Sequence, residues 1–187
     1  ETGDNNNVFI RNDPPRSDAT NGETLIIYNR QSDGECRMAA LETNTSATTS
    51  VRIGPTTLVN ISSRQINPQG MFYDSYVQSH MIVLNMNNYG TGEQGCRAYQ
   101  ANVQTTQIAV SPFANVGVGF GTGGTAIEES LSSNTGRMAG SGNGKVVMTG
   151  TFQEGSTVST RTLRAYVITA NGTALAPSVA SAVDLIP

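Results

Sequence analysis

VGVGFGTGGT, Val116–Thr125, contains a literal G-x-G-x-x-G at Gly119, Gly121 and Gly124, and AIEESL follows it directly. The stretch allows two folds. A dinucleotide site needs a strand, a glycine turn opening onto a helix, and an acid about 20 residues further on to hold a ribose. After Glu128 and Glu129 the next acid is Glu154, too far along. A Walker-type phosphate loop also fails: Val146 follows Gly144-Lys145 where Ser or Thr should bind magnesium, and Ala139 stands where the first glycine belongs. Read with period two, Val116, Val118 and Phe120 form one face and Gly117, Gly119 and Gly121 the other. That is a strand with one bare face, which lets a neighbouring backbone or ring approach closely. No cofactor is expected there.

The same period recurs along the chain. TLIIYNR (24–30) and ECRMAAL (35–41) read as strands joined by a turn at Asp33-Gly34. TLVNIS (57–62) places Asn60 on the solvent side, and HMIVLNM (80–86) is apolar on both faces, which suits a central strand. RAYQANVQ (97–104) reads as half-buried, with Gln100 and Asn102 facing water; KVVMTGTF and LRAYVIT continue the series. Asn21-Gly22, Asn143-Gly144 and Asn171-Gly172 supply turns. The prolines, Pro55 and Pro68 among them, fall between strands, where a missing N–H breaks no ladder. MFYDSY (71–76) reads as a loop, and SSNTGRMAGSGNG (132–144) as a flexible insert.

Only residues 126–132 resemble a helix, about two turns, too short to cover a parallel sheet. The expected fold is all-β: a mainly antiparallel β-sandwich or jelly-roll of about eight to ten strands. Residues 1–3 read as an expression-vector remnant and 4–187 as one domain.

Charged residues are 13% of the chain and apolar residues 37%, so disorder is not expected. With a net charge of −3 and no basic cluster, nucleic acid is a poor partner. No apolar run approaches the ~20 residues of a membrane helix, so this segment is not expected to insert. Three N-x-[ST] sequons, at Asn44, Asn60 and Asn171, point to an extracellular setting. In that setting Cys36 and Cys96 are expected to form a structural disulfide, adding about 4 kcal/mol.

Catalytic chemistry is thin. His80 is the sole histidine, so any nucleophile–histidine arrangement must use it, and no G-x-S-x-G elbow exists. Zinc, which draws on several His and Cys residues, is not expected. Asp33, Glu35, Glu42, Asp74, Glu93, Glu128 and Glu129 offer carboxylates for glycoside hydrolysis, although spacing pairs none of them. Asp13, Asp18, Asn21 and Glu23 offer calcium ligands in one loop, in a pattern that matches no EF-hand. The best candidate recognition surface is aromatic: Tyr73, Asp74 and Tyr76, since tyrosine presents apolar area with a hydroxyl handle.

The expected function is a non-enzymatic extracellular recognition or display domain, foremost a viral surface or capsid projection binding a host receptor or glycan through its loops. A microbial adhesin, pilus subunit or carbohydrate-binding module stands second, with the absence of Trp counting against the last. A small carboxylate-dependent glycosidase stands third. Glycine-flat, uncharged strands can pair across a symmetry axis, so a homo-oligomer is among the expected partners.

Overall fold

Alternation of side chains decides which faces are buried, and of three blocks of the chain the first and third bury one face each and the second buries both. The computed structural model describes residues 8–13, 21–30, 35–44, 50–60, 66–87, 94–104, 107–116, 129–131, 137–140, 142–154, 161–172 and 175–186. Every regular element among them is a strand, and all pairings are antiparallel. The first sheet holds β1 (Val8–Asp13), β2 (Asn21–Arg30), β3 (Glu35–Asn44) and β4 (Ser50–Asn60), paired in chain order. The second holds β5 (Ile66–Asp74), β6 (Ser79–Asn87) and β7 (Gln94–Val103). The far side of β7 is shared by β8 (Ile108–Val110) and β9 (Ala114–Val116). The third centres on β12 (Lys145–Glu154) and β13 (Arg161–Thr169). β10 (Glu129–Leu131) and β11 (Arg137–Gly140) flank β12, and β14 (Ser178–Val179) and β15 (Val183–Asp184) flank β13.

The sheets stack as three layers with the second in the middle. Ile82 and Leu84 of β6, with Tyr99, Ala101 and Val103 of β7, pack against Leu25, Ile27, Cys36 and Met38 of the first sheet. The alternate residues Met81, Val83, Cys96 and Ala98 pack against Val146, Met148, Tyr166 and Ile168 of the third. Met81, Ile82, Val83 and Leu84 are all fully buried, and each buried large side chain contributes about 2 kcal/mol of transfer free energy. The doubly apolar reading of HMIVLNM thus holds, for a reason a two-layer sandwich does not supply.

The architecture is all-β, antiparallel and sandwich-like, with the sheets left open. Several expectations need correction. Fifteen strand segments replace the expected eight to ten, because a third layer is present and three short pairs share the long strands' edges. Of the two expected arrangements the sandwich-like one holds: most pairings join consecutive strands, and β7–β9, β10–β12 and β13–β15 each skip one. Residues 129–131, expected in a short helix, form β10, where Glu129–Leu131 pair with Glu154–Phe152. Residues 137–140 of the expected flexible insert form β11. Met71–Asp74 belong to β5, not a loop, and Asn21-Gly22 opens β2 instead of turning.

Pro55 and Pro68 lie inside strands, but inside β4 and β5, which are sheet edges, and beside register shifts where the ladder is already interrupted. Of the glycine stretch, Val116 ends β9, and residues 117–125 lie outside the described residues, as does the turn at 31–34.

The expected disulfide is absent: Cys36 and Cys96 are free thiols. The cause is the layering. Cys36 faces the core between the first and second sheets, whereas Cys96 faces the core between the second and third. The middle sheet stands between them. Burial holds the Cys36 thiol up at about 12 and the Tyr99 phenol likewise at about 12, the latter opposed by the nearby Arg97 guanidinium.

Candidate functional site

At one end of the middle sheet the buried side chains turn polar. Asp74, Ser79, His80, Gln100 and Ser111 are all at or below 6% exposure. A carboxylate with no access to water must be satisfied internally. Asp74 achieves this with main-chain donors. Its Oδ1 accepts from Tyr76 N (2.9 Å) and Val77 N (3.4 Å), closing the β5–β6 turn, and its Oδ2 accepts from Gly144 N (2.8 Å) in the third sheet. Gly142 and Gly144 adopt positive φ, which turns the chain between β11 and β12 so that this N–H points at the carboxylate.

Gln100 forms a second tie between the same two layers. Its Oε1 accepts from Asn171 N (3.0 Å), and its Nε2 donates to Asn171 O (2.8 Å) and to Ser79 Oγ (3.2 Å). The side-chain amide stands in for a peptide unit, pairing with Asn171 as a neighbouring strand would. The Gln100 main chain is held by Ser111: its carbonyl accepts from Ser111 N, and its N–H donates to the Ser111 hydroxyl Oγ (both 2.8 Å).

These two ties bring three chain segments together around an open groove of about 610 Å³. The β5–β6 turn supplies Tyr76 and Val77, the β11–β12 turn Asn143 and Gly144, and the segment after β13 Ala170, Asn171 and Gly172. Thr169, Ala176 and Ser178 complete the lining. Tyr76 is 75% exposed, the most exposed large apolar side chain among the described residues. Asn143, Asn171 and Gly172 are exposed, and Gly144 and Ala170 form the buried floor. Among the described residues the lining offers amides, hydroxyls, a phenol and small apolar patches, with no carboxylate, ammonium or guanidinium. Such a surface can exchange hydrogen bonds with a neutral polar ligand and place an aromatic face against it.

The expected aromatic site is therefore divided. Tyr76 lines the groove. Asp74 lies beneath it as an internal anchor, out of reach of any ligand. Tyr73 alternates to the opposite face, where its ring tilts against buried His80 at 4.9 Å.

Of the sequon residues, Asn171 is exposed and in the groove, while Asn44 and Asn60 close β3 and β4. Of the candidate calcium ligands, Asp13 and Glu23 are cross-strand partners and Asn21 begins β2, so these three do not form the expected loop; Asp18 lies outside the described residues. Of the candidate hydrolytic carboxylates, Glu35 pairs with Arg37 at 2.6 Å. Asp33, Glu93 and Glu128 lie outside the described residues.

Sequence reading missed Gln100 and Asn143. A glutamine alternating with tyrosine and alanine looks solvent-facing unless a third layer is known to cover it. Asn143 was visible only as a turn former. No protein-family model, curated protein or solved structure matches this chain.

Proposed function

We propose that this chain is a non-enzymatic extracellular recognition domain of the surface-projection kind found on virions, and that the groove beside Tyr76 binds a neutral carbohydrate on a host receptor or cell surface. The observation that carries the reading is the uncharged lining around an exposed tyrosine. Sugar hydroxyls pair well with amide and hydroxyl groups, and the C–H face of a sugar ring packs on an aromatic plane. Among the described lining residues there is no carboxylate to supply the acid–base pair of glycoside hydrolysis, which supports binding over hydrolysis.

With no disulfide joining Cys36 and Cys96, the extracellular setting rests on the sequons alone. Exposed Val183, Leu185 and Ile186 beside β13 support self-association of such a domain. Light scattering at rising concentration tests that part, and a strict monomer throughout removes it.

A glycan array tests the central part. Tyr76→Ala should abolish glycan capture while leaving the melting temperature unchanged, because the ring makes little buried contact. Capture of no neutral glycan by the unmodified chain, or capture indifferent to Tyr76→Ala, sinks the reading. Plant or microbial polysaccharides as the ligands would favour a carbohydrate-binding module over a viral projection.

A further inference from the structure

The groove contains the same dipeptide twice, Asn143-Gly144 and Asn171-Gly172, in two different backbone states. Asparagine followed by glycine is chemically labile. The glycine nitrogen loses its proton to solvent base and attacks the asparagine Cγ. A C–N bond forms, the side-chain amide leaves as ammonia, and a five-membered succinimide results. Water then opens either carbonyl, giving aspartate or isoaspartate. One water enters and one ammonia departs, without any oxidant or cofactor.

The step requires a glycine N–H that can be deprotonated and a peptide unit that can rotate toward Cγ. Gly144 has neither freedom. Its N–H donates to the buried Asp74 carboxylate at 2.8 Å, and its carbonyl accepts from Ala170 N at 2.7 Å, so both ends of the residue are held. Removing that proton would place an amide anion against a carboxylate, both of them buried. At the second site the Asn171 carbonyl is also held, by Gln100 Nε2 at 2.8 Å, so the difference lies in the attacking nitrogen: Gly172 is exposed, and among the described residues none accepts a hydrogen bond from its N–H.

We propose that Asn171-Gly172 is a spontaneous deamidation site and that Asn143-Gly144 is shielded from the same reaction by Asp74. The product matters to the groove. Either outcome adds a negative charge to an uncharged lining. Isoaspartate also reroutes the main chain through Cβ, so the Asn171 carbonyl that Gln100 Nε2 grips ceases to be a peptide carbonyl. The chemistry depends on the backbone alone, whatever the groove binds.

Trypsin separates the two sites, since Arg137 and Lys145 bracket Asn143, and no Lys or Arg follows Arg164. The full chain, produced without glycosylation, is aged at mildly alkaline pH and body temperature. The two peptides are then followed by mass spectrometry and by isoaspartate methyltransferase labelling. In the folded chain the Asn171 peptide should convert faster than the Asn143 peptide by on the order of tenfold or more. In denaturant the two rates should converge, which assigns the difference to the fold and not to local sequence. Equal rates in the folded chain, Asn143 ahead of Asn171, an Asn171 peptide that stays unmodified, or a rate gap that persists in denaturant each overturns the proposal.

Discussion

Replacing Asp74 by alanine removes three acceptor contacts at once, and the structure says which of the donors can recover. Tyr76 N belongs to an exposed residue and regains water; the 3.4 Å bond from Val77 N is weak to begin with. Gly144 N is buried, and once the carboxylate is gone nothing polar replaces it at 2.8 Å. A hydrogen bond to a charged group contributes about 1.5–3 kcal/mol, and a stranded buried donor costs a similar amount. Asp74→Ala should therefore destabilise the fold by about 3 kcal/mol. Asp74→Asn, which keeps one acceptor but turns an N–H₂ toward a donor, should fall between alanine and the native residue. With a urea m-value of about 2 kcal/mol/M, the alanine variant's midpoint drops by about 1.5 M at unchanged m. An alanine midpoint within about 0.3 M of the unmodified chain, or an asparagine variant worse than alanine, would refute the reasoning from these contacts.

Other perturbations probe separate parts of the stack. Gln100→Leu keeps the volume but loses both bonds to the exposed Asn171 main chain, so it should cost about 2 kcal/mol by urea denaturation. Gly140→Val places a Cβ 2.1 Å from the Phe72 ring, and should lower stability by about 3 kcal/mol or abolish soluble folded protein, as read by thermal melts. Both thiols should resist a soluble maleimide in the folded state and react on unfolding, and the intact mass should match two free cysteines. Cys36 is raised from 9.0 to about 12, so its neutral form is the one the fold favours. The unfolded chain sheds that proton first, and stability should fall from pH 9.0 toward about 12 with a limiting slope of about 1.4 kcal/mol per pH unit. Tyr99 adds to the fall above pH 10.0. Urea midpoints at pH 8 and pH 10.5 that coincide would contradict this.

The fold class was legible because period-two alternation is a local property. TLIIYNR, ECRMAAL and LRAYVIT each show it without help from the rest of the chain, and β2, β3 and β13 follow. The number of layers was not legible. Gln100 and Asn102 look alike as polar residues on one face of a strand, yet Gln100 is fully buried and Asn102 only partly so. What separates them is which other sheet lies above, a long-range fact. The same limit explains the mistaken disulfide: two cysteines on strands say nothing about the sheet between them.

Half of the groove could have been read from the sequence. Once KVVMTGTF and LRAYVIT are taken as a hairpin, Lys145 opposes Thr169, which sets Gly144 beside Ala170 and both Asn-Gly pairs at one end. Tyr76 could not have been added, because nothing local ties the β5–β6 turn to that end. At Gly70 and Gly140, Met138 and the Phe72 ring respectively occupy the space a side chain would take, a close approach between distant segments that neighbouring residues do not signal.

Because each layer is one uninterrupted block of chain, tolerance to change should be graded by depth in the stack. An outer sheet has one face in solvent and can drift in sequence there without disturbing its neighbour. The central block has no such freedom, since swapping one of its side chains perturbs one interior and shifting its register perturbs both at once. Variation among homologous chains should therefore thin toward the middle third of the sequence, and an excised central block should aggregate where a matched pair of adjacent blocks stays soluble.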